Sequence, residues 1–306
     1  MKTLLLIDGN ALIHRAFHAI PEFKTKEGVQ TNAVYGFITM LSKAIEMTSP
    51  VYVAVCFDTP APTFRKKMFI QYQIQRPVIK EEMRTQFPLI REFLKSANIP
   101  YFEKEGYEAD DLIGTIAKKI KTEDTKTFIF TGDKDILQLV NDTTFVITPK
   151  KGLSEIKLYD IKQVQETFHI SPAQIPDIKA LMGDPADNYK GGYGIGPKTA
   201  SSLIGQFGSI DALYTHLQEV KNQRVRKTLE KDKEHILLSK ELAHIVQNVE
   251  FPFSLEDCRF RQYNEKVKDF FLRFEFYSLV KRFFAKDQKT AISKNTQKEK
   301  EQLGLF

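Results

Sequence analysis

The chain has 306 residues, of which 42% are hydrophobic and 27% charged, with a formal net charge of +6. That much apolar side chain buries a substantial core in one large domain or two smaller ones, which excludes a disordered or fibrous chain. The mild positive balance permits an anionic partner without identifying one. The two cysteines, Cys56 inside an apolar run and Cys258 far from it, exclude a disulfide framework and a cysteine zinc site. The first apolar run is too short for a signal-peptide core, and no later run is long enough to span a membrane, so a reducing, cytoplasmic setting is expected.

In chain order, strand patterns at 3–8, 51–57, 99–102, 127–131 and 144–148 alternate with helical periodicity at 11–19, 33–47, 80–97, 108–121 and 134–140. The alternation predicts an α/β core with a parallel sheet covered on both faces, over about 1–160. Three of the apolar runs lead into an aspartate: LLLID at Asp8, VYVAVCFD at Asp58 and TFIFTGD at Asp133. In an open α/β sheet, ligand chemistry collects outside the carboxyl ends of the strands. If these strands are neighbours, their carboxylates meet and repel one another unless cations neutralise them. Hard oxygen ligands select magnesium or manganese.

Between Thr59 and Pro77, prolines, Arg65, Lys66, Lys67 and Arg76 interleave with Phe64, Phe69 and Tyr72. This is the composition of an arch or loop, near 59–80, that touches a phosphate backbone and stacks on bases; the plain alternative is a solvated amphipathic helix. In GYEADDLIGTIAKK, helical spacing puts Glu108 and Asp111 on one face with Asp110 beside them. First-turn acids also favour a helix through its dipole, which accounts for one or two of the three. Asp133 and Asp135 follow the same logic, since an ordinary cap explains one of the pair.

From about Ile161 helical patterns dominate, predicting a helical second region over 161–284. There Asp184 and Asp187 sit three apart in a turn made by Gly183 and Pro185. They are followed by Gly192, Gly194 and Gly196, then Pro197, Lys198 and Thr199 at a helix start. A glycine-rich turn opening a helix offers amides to phosphate, and because a helix rather than a strand precedes it, a helix-hairpin-helix DNA grip fits better than a nucleotide pocket. The last stretch, 285–306, is polar until Gln302, Leu303, Gly304, Leu305 and Phe306, and reads as a flexible tail ending in a docking peptide.

The motifs LIDGNALIHRAFHA, CFDTPAPTFR, YEADDLIGTIA, TGDKDILQLV and LMGDPADNYKGGYGIGPKTA, in order from Lys2 to about Phe284, resemble the 5′-nuclease domain of bacterial DNA polymerase I, in the flap endonuclease superfamily. The resemblance implies a PIN-like parallel sheet core, a helical arch, and a helical DNA-gripping module that binds potassium. It assigns Asp8, Asp58, Glu108, Asp110 and Asp111 to a first metal site, and Asp133, Asp135, Asp184 and Asp187 to a second. It also implies two Mg2+ ions, with Mn2+ able to substitute. Arg76, Arg65 and Arg15 would contact phosphate and Tyr72 a base, with Lys66, Lys67 and the glycine-rich turn on the DNA. No polymerase domain follows, so a stand-alone, monomeric form is expected, and the final QLGLF is similar to the bacterial sliding-clamp-binding peptide.

One departure stands out. The family's arch usually reads Tyr-Lys-x-x-Arg, whereas this chain has Gln73 after Tyr72, so charge stabilisation at the scissile phosphate should weaken. The expected activity is hydrolysis of DNA at 5′ flaps, nicks or primers by a two-metal mechanism in replication and repair. The rivals are a non-catalytic, structure-selective DNA-binding protein and, further off, a PIN-type ribonuclease.

Overall fold

The computed structural model describes residues 2–121, 124–149 and 156–284. Six strands, β1 (Lys2–Asp8), β2 (Tyr52–Cys56), β3 (Tyr101–Phe102), β4 (Thr125–Phe130), β5 (Thr144–Pro149) and β6 (Ile156–Tyr159), form one sheet in the order β3-β2-β1-β4-β5-β6. All neighbours are parallel except β5 and β6. β6 was not anticipated: it is a four-residue antiparallel edge strand with Leu158 half exposed, so its apolar alternation is short. The chain runs from β1 to β2 and β3 on one side, then returns to β4 and β5 on the other. The order therefore reverses at β1, and Asp8 stands at that switch point.

The sheet is buried on both faces because β1 and β2 are continuously apolar. Leu4, Leu6, Ala54 and Cys56 join one core with α6 (Ala109–Ile120), while Leu5, Ile7, Val53 and Val55 join the other with α1 (Gly9–Ala19) and α2 (Asn32–Thr48). After β2 come the short α3 (Phe64–Met68), a run of turns, α4 (Glu81–Arg84) and α5 (Gln86–Ser96). The arch is thus mostly turns with one five-residue helix, and the helix expected over 80–97 divides at Thr85. The helix expected at 134–140 is a 3-10 turn, Asp135–Leu139.

The later helices are α7 (Ile161–Phe168), α8 (Ile175–Met182), α9 (Pro197–Phe207), α10 (Ile210–Thr215), α11 (Gln223–Lys231), α12 (Lys233–Ala243) and α13 (Glu265–Arg273). Ile178, Leu181, Ile204 and Ile236 carry α8, α9 and α12 into the first core, whereas Phe270 and Phe271 of α13 join the second. Consequently α8 is held rigidly beside the carboxyl ends of the strands. Among the described residues no helix is long and apolar enough to cross a membrane. The proposed clamp peptide, Gln302 to Phe306, lies outside the described residues.

Candidate metal centre

Asp8 ends β1 and opens α1. Its carboxylate accepts from the Ala11 amide (2.9 Å), capping the helix, and from the Thr131 hydroxyl (2.7 Å). Thr131 in turn accepts from the Asp133 amide (3.0 Å), so one buried hydroxyl joins the ends of β1 and β4. From β2, the Asp58 carboxylate accepts from the Ala109 amide at 2.7 Å, while its own amide donates to Asn10 at 3.1 Å. Three loops are thereby drawn together at the switch point. Asn10 and Thr131 were not foreseen; their only signal in the sequence is adjacency to Asp8 and Asp133.

Glu108 caps α6 in a capping box with Asp111, and Asp110 follows in the first turn. Burial, with the charges of Asp58 and Asp133 added to it, lifts the Asp8 carboxyl to about 7. Burial also takes Glu108 to about 7 despite nearby Arg65, and lifts Asp58. Asp110 is held well above the usual carboxylate range, first by desolvation and then by Asp133, Asp8, Glu108 and Asp58. Among the described residues Asp110 accepts no hydrogen bond from the protein. A set of buried carboxylates in one another's field, with oxygens that face no protein donor, suits a divalent cation.

A second group lies alongside. Asp135, Asp184 and Asp187 each bring a carboxylate oxygen within 4.8 Å of the others, the spacing of a shared cation. The Asp135 amide donates to Asp133 at 2.8 Å, which ties the two groups together. Asp184 and Asp187 are presented by a small hairpin, Gly183–Asp184 paired with Tyr189–Lys190. Gly183 has φ +75°, and a Cβ there would lie 2.5 Å from the Gly191 nitrogen, so no other residue fits.

This group carries its own cations. The Lys179 ammonium on α8 bonds both oxygens of Asp135 and one of Asp184, the latter at 2.6 Å. Arg76 donates to Asp187 at 2.6 Å, and Tyr72 donates to the same carboxylate at 3.2 Å. Burial, and then Asp133, lifts Asp135 to about 7 even against Lys179. Asp184 is less enclosed; its burial is outweighed by Lys179 and the Ala186 and Asp187 amides, and it falls below its ordinary value. Lys179 is the functional residue the sequence reading missed; its signal is its place in the helix running into Asp184. The donor sets of both groups, all hard carboxylate oxygen, fit divalent cations.

Several expected roles change. Asp111 does not offer its carboxylate to a metal: fully buried, it forms a bidentate pair with Arg65 at 2.7 and 2.8 Å and accepts from the Val246 and Glu108 amides. Arg65 is correspondingly not a phosphate clamp, because its remaining donors go to the Leu242 and His244 carbonyls and its guanidinium also lies 3.3 Å from Glu108. Tyr72 is not available to stack on a base; it is buried against Tyr189, Leu242 and Phe69. Lys66 donates to the Tyr72 carbonyl at 2.8 Å, bracing the arch, while Lys67 is exposed. Arg76 remains half exposed at the rim and Arg15 half-buried on α1. In the glycine-rich turn, buried Gly192 donates its amide to Leu181 and is a packing residue, whereas Gly194, Lys198 and, less fully, Gly196 and Thr199 face solvent. Half-buried Gln73 sits at φ 55° with its amide on the Asp187 carbonyl, 2.9 Å away.

Family models match almost the whole described chain: a 5′-3′ exonuclease N-terminal resolvase-like domain over residues 3–169, and a 5′-3′ exonuclease C-terminal SAM fold over residues 170–266. DNA polymerase I of Bacillus caldotenax is 39% identical over 282 residues, covering 92% of this chain and 32% of that protein, so the chain spans about a third of such relatives. The 5′-3′ exonuclease of Aquifex aeolicus is 36% identical over 282 residues, covering 92% of this chain and 95% of its own length. The T5 D15 flap endonuclease, solved as a pseudo-enzyme-product complex with DNA and metal ions, shares the fold with a TM-score of 0.65 at 21% identity, over 79% of this chain and 89% of its own. With the switch-point carboxylates and the two family models in register, the chain belongs to the 5′-3′ exonuclease family.

Proposed function

We propose that this chain is a metal-dependent 5′ nuclease that hydrolyses phosphodiester bonds of DNA at 5′ flaps, nicks or primers, in cytoplasmic replication and repair. The observation that carries the reading is the convergence of eight carboxylates, in two adjoining groups, at the switch point of a parallel sheet. Asp8, Asp58, Glu108 and Asp110 would hold one Mg2+ ion, and Asp135, Asp184 and Asp187 a second beside Asp133, with Mn2+ able to substitute. Bound there, divalent cations supply an activated water and charge neutralisation at the leaving oxygen.

The chain's own residues do the positioning. Thr131 and the Ala11 amide fix the Asp8 oxygens, and the Ala109 amide fixes Asp58. Arg76, half exposed at the rim, is the side chain suited to meet the phosphate. Gly194, Gly196, Lys198 and Thr199 would hold the duplex backbone, with a potassium ion in the turn. The chain would act as a monomer, and Gln302, Leu303, Leu305 and Phe306 would dock a sliding clamp. Deleting these residues should abolish clamp binding, and unchanged affinity would remove that proposal.

Gln73 favours a second reading, a catalytically weakened or silent structure-selective binder, since an uncharged amide stands where the family's arch carries a cation. Incubation with a labelled 5′-flap duplex, first with magnesium and then with chelator, separates the two. Chelator-sensitive release of the flap supports the nuclease; tight binding with no cleavage at any metal concentration supports the binder.

A further inference from the structure

We propose that the basic face of α11 is a phosphate-backbone contact, extending the grip of the glycine-rich turn along double-stranded DNA; this rests on the nuclease reading above. Arg224, Lys227, Thr228 and Lys231 recur at i, i+3, i+4 and i+7 and so share one face of the helix. Leu229, fully buried, and Val225 hold the opposite face on the core. The three cations are exposed, and among the described residues none of them forms an ion pair. Their neighbours differ: Arg226 bonds the Gln218 carbonyl and Lys240 pairs with Asp177 and Asp211. Among the described residues, therefore, the charge on α11 has no carboxylate partner.

The face is also fixed relative to the turn. Tyr193, at the tip of the glycine-rich turn, is 82% exposed. Its amide donates to Asp232 at 2.9 Å, and Asp232 both ends α11 and precedes α12. Tyr193, Arg224, Lys227, Lys231 and Asp232 accordingly line one cleft of about 450 Å³. The only carboxylate among them is already bound to the turn. Along the helix the cations span roughly 10 Å, the axial rise of about three phosphates on one strand. With cations in a row and a single aromatic, the face matches a regular polyanion rather than splayed bases.

The test is binding of the full chain, in chelator so that no strand is cut, to a duplex with a 5′ overhang and to the overhang strand alone. The variant is Arg224→Ala, Lys227→Ala and Lys231→Ala combined, all exposed and away from the carboxylates. Fluorescence anisotropy over a salt series should show the slope of log K against log salt for the duplex falling by about 2 to 3, at about 0.9 per phosphate contact. Duplex affinity should drop at least about tenfold, while single-strand binding and single-turnover cleavage at saturating protein stay unchanged. An unaltered duplex slope in a variant that still cleaves overturns the proposal and leaves the nuclease reading intact. Parent protein that neither cleaves nor binds duplex overturns both.

Discussion

At the ends of the strands, Asp8, Asp58 and Asp110 confront one another with amides and a hydroxyl as their protein partners, or with none. In the adjoining group, Asp135 and Asp184 share Lys179 and Asp187 is paired with Arg76. Among the described residues of the first group only Glu108 has a cation beside it, Arg65 at 3.3 Å, and burial lifts Asp8, Asp58 and Asp110. In the second, Lys179 and Arg76 face all three carboxylates and Asp184 falls, although burial still lifts Asp135. The difference teaches that the two groups do not offer equal sites. An ion entering the second competes with a lysine held between two of its carboxylates, whereas Asp8, Asp58 and Asp110 of the first have no cation bonded to them among the described residues.

The largest expected effect follows from Asp110, whose carboxylate accepts no hydrogen bond among the described residues that a substitution would break. Asp110→Asn should reduce flap cleavage by about 10³-fold or more, as loss of a preorganised electrostatic contact does. In chelator at alkaline pH, where the carboxyl is ionised, it should also raise the melting temperature, because a repelling charge is gone. Calorimetry and a flap assay on the same preparation check both; a lowered melting temperature would mean the first group is not under electrostatic strain.

Next in size is the acid that left the first group. Arg65→Ala abandons Asp111 as a buried, unpaired charge and should cost about 3–5 kcal/mol, read as a drop in the urea midpoint. A variant of wild-type stability with only slowed cleavage would return Arg65 to the role of phosphate clamp and Asp111 to the metal.

The parallel sheet and the three aspartates at strand ends were legible because short apolar runs alternating with helical periods leave few topologies. The site's location followed from the same pattern. What sequence spacing could not tell was which carboxylates point at solvent and which find an internal cation. Asp110 and Asp111 are neighbours in the chain, yet a helix turns them about 100° apart, one toward the cluster and the other onto Arg65. Lys179 and Thr131 escaped for the mirror-image reason: their type is ordinary, and only the packing of α8 and the end of β4 gives them carboxylates to meet. β6 escaped because an edge strand of four residues has too little period to detect.

Lys179 offers the sharper test of the comparison. Lys179→Gln removes the competing ammonium while keeping a donor, and should raise affinity for the second divalent ion by roughly tenfold, equivalent to about 1.4 kcal/mol. Calorimetric titration with magnesium or manganese should show the weaker of two binding steps strengthening and the tighter one unmoved. If the tighter step moves instead, the lysine serves the first group and the two groups do not differ in this way.

The remaining effect is in pH. Asp8, Glu108 and Asp135 titrate near 7 in the fold instead of at their ordinary 3.8, 4.5 and 3.8. A carboxyl whose folded pKa is raised holds its proton better in the fold than in the unfolded chain. Its contribution to stability is therefore complete below the unfolded pKa and is lost as pH climbs toward about 7. Asp184, whose pKa is lowered, acts in the opposite sense, but only below its ordinary 3.8. In chelator the melting temperature should accordingly fall between about pH 5 and about pH 8. Magnesium should restore it most at the upper end, where the carboxylates are ionised, mutually repelling and able to ligate. Melts at several pH values with and without the ion measure this directly. A stabilisation by magnesium that is the same at both ends would mean that the carboxylates are already ionised at the lower pH, and that burial at the switch point does not hold their protons.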